Sequence, residues 1–142
     1  MIVVVDASVA IKWFLFFKPD EDHAGLALNI LERAAVGALK LIQPPHFIAE
    51  VAAVLARAKP DEAQDDLLDL LNIERRTLDT PEIHATALEL AIRYRQHVFD
   101  TLYHAVALHT PGADLITDDR RYYDKVVGEG RIMLLADWTP DS

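Results

Sequence analysis

The sequence contains no cysteine, which excludes disulfide bonds and thiolate-ligated metal sites. Basic side chains are also scarce, since 14 lysines and arginines stand against 23 aspartates and glutamates and give a formal net charge of −9. Proteins that bind nucleic acid through their overall surface charge are usually basic. Any nucleic-acid binding by this chain therefore requires a local basic patch, a cation in an acidic pocket, or a partner chain.

Long apolar runs are missing as well. The N-terminal apolar run spans only about four residues and no basic region precedes it, so we expect no signal peptide, no membrane span and a cytoplasmic location. What is present is a chain of 142 residues that is 51% hydrophobic, with no internal repeat, linker or low-complexity tract. This composition predicts one folded domain over residues 1–142.

Helical and extended patterns alternate along the chain. Prolines mark helix starts at Pro44-Pro45 and Thr80-Pro81, Asp20 is a candidate N-cap, and Asp61 with Gln64 resembles a capping box. The predicted helices are 9–17, 21–36, 44–60, 61–72, 80–94, 99–109 and 121–127, and the predicted strands are 2–5, 39–43, 73–78, 115–117 and 131–135. This alternation predicts an α/β domain with a mainly parallel sheet.

The first strand, 2–5, consists of three valines and an isoleucine and stops at Asp6. Buried strands of parallel sheets are continuously apolar, and ligands of open α/β sheets bind beyond the carboxyl ends of the strands. Asp6 therefore lies where a metal or phosphate ligand is expected, although a helix cap or a turn residue would also suit this position.

Further acidic residues occupy comparable positions. Glu50 is the only charged residue in an alanine-rich helical stretch, which indicates metal binding or pairing unless it lies on an exposed edge or pairs with Arg57. Asp100 lies in a first helical turn, where the helix dipole alone would favour it. Asp118 and Asp119 follow a predicted strand, where one acid can serve a site while the other caps the next helix.

These acids can converge, because helices of a parallel sheet begin at the edge where its strands end. Carboxylates that share a pocket repel one another, and this repulsion raises their pKa values unless a cation intervenes. Oxygen ligands without cysteine favour Mg²⁺ or Mn²⁺.

Four short motifs occur in order along the chain. They are Val5-Asp6-Ala7-Ser8-Val9, Phe47-Ile48-Ala49-Glu50-Val51, Phe99-Asp100-Thr101-Leu102-Tyr103 and Leu115-Ile116-Thr117-Asp118-Asp119-Arg120-Arg121-Tyr122. In order and spacing, from Ile2 to about Trp138, they resemble the PIN-domain nucleases, of the toxin kind found in VapBC-type toxin–antitoxin pairs. The resemblance implies a three-layer α/β/α sandwich with a mainly parallel central sheet. It also implies an Mg²⁺- or Mn²⁺-dependent endoribonuclease, the toxin of a type II pair.

The resemblance further implies the residues of the site. The acidic quartet would be Asp6, Glu50, Asp100 and Asp119, with Asp6, Asp100 and Asp119 as metal ligands. The family's last motif reads Thr-x-Asp, which assigns Thr117 and Asp119, and the acid at the middle position makes Asp118 a reserve ligand. Ser8 and Thr117 would orient a carboxylate or a water molecule.

The substrate and partners follow from the same resemblance. Basic residues shortly after the proposed ligands would either hold RNA phosphates without reading sequence or be ordinary surface charges. These residues are Lys12, Arg57, Arg120, Arg121 and Lys125. A cognate antitoxin and a homodimer are the implied protein partners. The aromatic run of Trp13, Phe14, Phe16 and Phe17 would provide an interface if one of its faces is exposed.

Two readings remain open beside this one. A PIN-like module without catalysis would bind protein or RNA, and a metal-dependent DNA nuclease of related fold would use the same acids. Ser8 excludes a haloacid-dehalogenase-type phosphatase, which needs a second aspartate at that position. His104 lies one turn from Asp100 and either packs in the core or lines the pocket, and Tyr122 and Tyr123 either stack on bases or pack the last helix.

Overall fold

The central strand of the protein is β1 (Ile2–Val5), which pairs in parallel with a strand on each side. The computed structural model describes residues 1–15 and 23–140. The other strands are β2 (Lys40–Gln43), β3 (Arg76–Thr77), β4 (Ala113–Thr117) and β5 (Ile132–Leu134). They form one parallel sheet in the order β3-β2-β1-β4-β5, which confirms the predicted parallel sheet.

Helices fill the connections between these strands. Within the described residues the helices are α1 (Ala7–Ala10), α2 (Lys12–Leu15), α3 (Ala24–Ala35), α4 (Phe47–Ala58), α5 (Ala63–Asn72), α6 (Pro81–Tyr94), α7 (Val98–Leu108) and α8 (Arg120–Val126). Short 3₁₀ turns cover Val127–Glu129 and Leu135–Asp137. None of the described helices is both long and apolar enough to span a bilayer.

The strand order places helices on both faces of the sheet. The chain moves from β1 through β2 to β3 in one direction, then crosses back to β4 and β5 on the other side of β1. Right-handed crossovers in opposite directions lie on opposite faces. The helices between β1 and β3 therefore form one outer layer and α6, α7 and α8 form the other, which gives the predicted α/β/α sandwich. Between β1 and β4 the winding direction reverses, and ligands of such sheets bind in the crevice at this reversal.

Several local predictions need correction. The first predicted helix, 9–17, is two helical turns that meet at Ile11, and its last two residues lie outside the described residues, as does the candidate cap Asp20. The capping box of Asp61 and Gln64 is wrong, because α5 begins at Ala63 and its N-cap is Glu62 without a side-chain cap. The predicted strand 73–78 shrinks to the two residues of β3.

Two aromatic assignments also change. Trp13 and Phe14 are buried, and the Trp13 indole donates to the carbonyl of Ala27 at 2.9 Å, so neither contributes to an exposed patch. Phe16 and Phe17 lie outside the described residues. Phe99, predicted on the core side of its helix, is 62% exposed.

Candidate active site

The carboxylate of Asp6 lies directly after β1 and is held by two hydroxyl groups. Ser8 Oγ donates to Asp6 Oδ1 at 2.5 Å, and Thr117 Oγ1 donates to Asp6 Oδ2. Each hydroxyl in turn accepts a backbone N–H from the segment after β4, Ser8 from Asp118 at 2.9 Å and Thr117 from Asp119 at 3.0 Å. The two hydroxyls therefore join the end of β1 to the end of β4 and fix the orientation of Asp6.

Gln43, which sequence reasoning missed, supports this arrangement from the other side of β1. Its buried side-chain amide accepts from the Val5 N–H at 2.9 Å and donates to the Val5 carbonyl at 2.7 Å. The registered β1–β2 pairing reaches only Val3, so the amide of Gln43 replaces the backbone ladder next to Asp6. A polar residue at the end of the apolar strand β2 is the signal that could have revealed it.

Asp6 titrates far from its ordinary range. Burial raises the pKa of Asp6 from 3.8 to about 7, against the opposing effect of the Ser8 and Thr117 hydroxyls and the Val9 N–H. The negative charge of Asp100 raises this pKa further. The ionised form of Asp6 is therefore energetically unfavourable in the folded protein unless a positive charge lies nearby.

Glu50, in the first turn of α4, reaches the same region from the β2 side. Its Oε1 accepts from the Tyr103 hydroxyl at 2.8 Å, and its Oε2 lies 3.8 Å from Nε2 of His46. Burial raises the pKa of Glu50, and the Tyr103 hydrogen bond opposes this effect. Tyr103 was predicted only as a core residue, yet its buried ring carries a hydroxyl that orients an acid.

Asp100 connects these acids electrostatically. It lies in the first turn of α7, and within the described residues no group donates a hydrogen bond to its carboxylate. Burial raises the pKa of Asp100, and the charges of Glu50 and Asp119 raise it further. Asp100 therefore lies within electrostatic reach of the other three acids predicted from the motifs, Asp6, Glu50 and Asp119, near the reversal of the sheet.

The two adjacent acids after β4 separate clearly. Asp118 pairs with Lys12 at 3.2 Å and with the imidazole of His23 at 3.4 Å. Asp119 is exposed, one of its oxygens caps α8 by accepting the Tyr122 N–H at 3.0 Å, and its charge acts on Asp100. This geometry favours Asp119 over Asp118 as the acid that faces the site.

The basic residues predicted around the site differ in exposure. Lys12 is buried, with only 5% of its side chain exposed, and a buried lysine paired with Asp118 does not present its charge at the surface. The remaining four are exposed, namely Arg57 on α4 and Arg120, Arg121 and Lys125 on α8. These four, unlike Lys12, are accessible from solvent.

His104 and Tyr122 lie in the core rather than in an open pocket. His104 Nε2 donates to the Gly130 carbonyl at 2.8 Å, which leaves Nδ1 to accept from the Tyr122 hydroxyl at 3.2 Å. Both residues are buried, so Tyr122 is not available for stacking on a base. The charges of Asp100, Asp6 and Asp119 raise the pKa of Tyr122 in addition to burial, which places its ring beside the acids.

The donor set fits a hard divalent cation. It consists of carboxylate oxygens, and burial and, in addition, the charge of a neighbouring acid raise the pKa values of Asp6 and Asp100. A bound cation would stabilise the ionised carboxylates against both effects. In the described part of the chain, however, no three histidine or carboxylate side chains already form a group that could hold an ion. The acids would have to turn toward one another to share one.

Comparison with solved structures finds proteins with a similar fold. VapBC2 from Rickettsia felis, whose structure includes a DNA fragment from its promoter, aligns over 94% of this chain and 97% of its own, with a TM-score of 0.65 and 16% identity. VapC20 from Mycobacterium tuberculosis, a toxin that cleaves the sarcin–ricin loop, aligns over 82% of this chain and 87% of its own, with a TM-score of 0.60 and 16% identity. VapBC-1 from nontypeable Haemophilus influenzae covers 96% of this chain and 100% of its own, with a TM-score of 0.64 and 14% identity.

At these identities the likeness establishes a common fold. No curated protein matches the chain significantly. The sequence model of the PIN domain matches residues 3–128, which include every acid discussed above. The chain therefore belongs to the PIN-domain family.

Proposed function

We propose that this protein is a divalent-metal-dependent endoribonuclease and the toxin of a type II toxin–antitoxin pair. The observation that supports the proposal is the electrostatic interaction of Asp100 with Asp6, Glu50 and Asp119 near the reversal of the sheet, which in addition to burial raises the pKa values of Asp6 and Asp100. The PIN-domain membership and the similarity to VapC20, a toxin that cleaves RNA, support the same chemistry.

The reaction would be hydrolysis of a phosphodiester bond. Asp6, Asp100 and Asp119 would hold Mg²⁺ or Mn²⁺, which when bound supplies positive charge against the charge that develops on the phosphate and lowers the pKa of a coordinated water. Glu50, fixed by Tyr103, would take the proton of the attacking water. The water oxygen bonds to phosphorus, the ester P–O bond breaks, and the leaving oxygen is protonated from solvent.

Cleavage of RNA by the purified protein in Mg²⁺ or Mn²⁺ tests this proposal. We expect Asp6→Asn and Asp100→Asn each to abolish divalent-dependent cleavage while the protein stays folded, because each removes a charge that holds the cation. EDTA should have the same effect on the wild-type protein.

Two control variants make the test specific. Asp65→Asn removes an exposed carboxylate on α5 and should cleave like the wild type. Asp118→Asn should retain cleavage where Asp119→Asn loses it, because Asp118 already pairs with Lys12. Equal activity of wild type and Asp6→Asn would overturn the mechanism. Cleavage of DNA but not of RNA would establish the related DNA nuclease. A protein that neither cleaves nucleic acid nor binds divalent ions would be a non-catalytic module.

We further propose that the exposed arginines beside Asp119 guide the RNA backbone. Arg120 and Arg121 open α8, immediately after the acid assigned to the site. Replacing both with alanine should weaken RNA binding uniformly across sequences and reduce its salt dependence. Unchanged affinity and salt dependence in the double variant would contradict this role.

The protein partners follow from the same proposal. A net charge of −9 complements a basic inhibitor, and VapBC structures are among those that share the fold. We propose a cognate antitoxin and a homodimer, acting in the cytoplasm where RNA and antitoxin are made. Co-purification with the product of the adjacent reading frame, and light scattering of the isolated protein, test the two associations separately.

A further inference from the structure

Phe99 is a large aromatic side chain left in solvent at the edge of the acidic site. Phe99 is 62% exposed, whereas the residues of α7 that follow Asp100, from Thr101 to Ala107, are buried. Burying a phenylalanine side chain stabilises a protein by about 1.5–3 kcal/mol. The exposed Phe99 ring does not contribute this free energy to folding, but it could contribute it to binding a ligand.

The position of this ring is fixed rather than free. His46, which precedes α4, donates from Nε2 to the Phe99 carbonyl at 2.7 Å, and its ring lies 5.6 Å from the Phe99 ring, tilted by 42°. The imidazole also packs on the ring of Tyr103, with the ring centroids 4.7 Å apart. Because His46 is held against Tyr103, it supports one part of the Phe99 ring and leaves the remainder open to a ligand.

The neighbourhood of Phe99 decides what that ligand is. Asp100 follows directly, and Glu50 contacts both residues that hold the ring in place, Tyr103 at 2.8 Å and His46 at 3.8 Å. A phosphate cleaved at these acids carries nucleotides on either side, and every base has a flat face that stacks on aromatic side chains. In a duplex both faces of a base are already covered by its neighbours, whereas loops and single strands expose them.

We propose that Phe99 is a stacking platform for an unpaired base next to the scissile phosphate. This inference rests on the proposed nuclease function and adds a base-contacting residue to it. His46 is then a positioning residue, because it acts on the substrate only through the orientation of Phe99.

The test uses the full-length protein and short single-stranded RNAs that carry 2-aminopurine at one position at a time. Titrations in Ca²⁺ and in EDTA, with RNA integrity checked on gels, measure binding apart from cleavage. We expect one position to be quenched on binding. Phe99→Ala should lose this quenching and bind about 5- to 100-fold more weakly, whereas Phe99→Trp should retain both.

Two comparisons distinguish stacking from a general apolar contact. Phe99→Leu keeps an apolar side chain without an aromatic face and should resemble Phe99→Ala. An abasic nucleotide at the quenched position should weaken binding to the wild type but not to Phe99→Ala, because the two changes remove the same contact. Val36→Ala removes an 80% exposed side chain at the end of α3, before β2 begins, and should change nothing.

Three outcomes would overturn the proposal: wild-type binding by Phe99→Leu, an abasic penalty that persists in Phe99→Ala, or dissociation of an oligomer by Phe99→Ala with RNA binding intact. The last would assign the ring to a protein interface instead. If the wild type cleaves RNA and Phe99→Ala cleaves it equally well, only the stacking platform fails. A wild-type protein that neither binds nor cleaves RNA would overturn the nuclease function and the platform together.

Discussion

At the scale of single residues, the hydroxyl of Thr117 links two groups at the site. It donates to Asp6, accepts from the Asp119 N–H, and is fully buried. Thr117→Val keeps the shape of the side chain but leaves a carboxylate oxygen and an N–H without this partner. We expect a loss of about 1–3 kcal/mol in the free energy of unfolding, measured by urea titration.

Thr117→Ser is the matched control, because it retains the hydroxyl and loses one methyl group. It should be more stable than Thr117→Val despite the smaller side chain. The opposite order would mean that Thr117 stabilises the protein by packing and that its hydroxyl contributes little.

At the residue scale, a local rule predicted where Asp6 lies in the fold. The sequence places it at the end of an apolar strand, and in the structure its carboxylate lies directly after β1, beside the end of β4. Its role as a metal ligand stays a prediction. The roles of Tyr103 and Gln43 were not predicted, because their hydrogen-bond partners lie 53 and 38 residues away in the chain. Spacing along a sequence does not reveal which distant side chains meet.

At the scale of elements, α7 is tied to the end of the domain through His104. Its imidazole joins the Tyr122 hydroxyl on α8 and the Gly130 carbonyl before β5, and burial lowers the pKa of His104 below 6.5. In the unfolded protein the imidazole of His104 takes up a proton near pH 6.5, whereas in the folded protein burial disfavours its protonation. Stability from this group is therefore present above that pH and is lost as the pH falls below it.

His104→Gln should therefore flatten the dependence of unfolding free energy on pH between about 5 and 7, a change of up to about 1.4 kcal/mol per pH unit. Urea titrations across this range measure it. Tyr122→Phe provides the control, because it removes the hydrogen bond but retains the imidazole, so it should lower stability and keep the slope. An unchanged slope in His104→Gln would show that His104 is not the group that titrates.

Elements were predicted well where their ends carry strong signals and poorly where tertiary contacts decide. Thr80 caps α6 as its sequence indicates, with its hydroxyl accepting the Ile83 N–H at 3.3 Å. The start of α5 was misplaced because Lys59 pairs with Glu62 and Asp66 at 3.1 and 2.8 Å and sets that turn instead. Phe99 was misassigned because α7 is buried almost all round, which makes an apolar stripe uninformative about its exposed first turn.

At the scale of the whole molecule, the sheet brings acidic residues from four separate segments to one region of a protein whose net charge is already negative. This arrangement lowers stability at neutral pH, since the raised pKa of Asp6, about 7 against an ordinary 3.8, means that the folded state resists ionising it. Between these two values the folded state binds more protons than the unfolded one. The Asp6 contribution to stability is therefore complete below 3.8 and is lost as the pH rises through about 7.

The stability of Asp6→Asn relative to the wild type should therefore increase as the pH rises. In EDTA, we expect the difference in unfolding free energy between the two to shift by about 1–3 kcal/mol in favour of the variant between about pH 5 and pH 8. Asp65→Asn changes the net charge equally at an exposed position and should show no such shift. Mg²⁺ at about a hundredfold excess over its Kd should then restore about 2.7 kcal/mol to the wild type at the higher pH and little to Asp6→Asn, because a cation bound only to the folded state stabilises it. A difference that stays flat with pH would mean that Asp6 ionises freely, and that the acids do not need a cation to coexist.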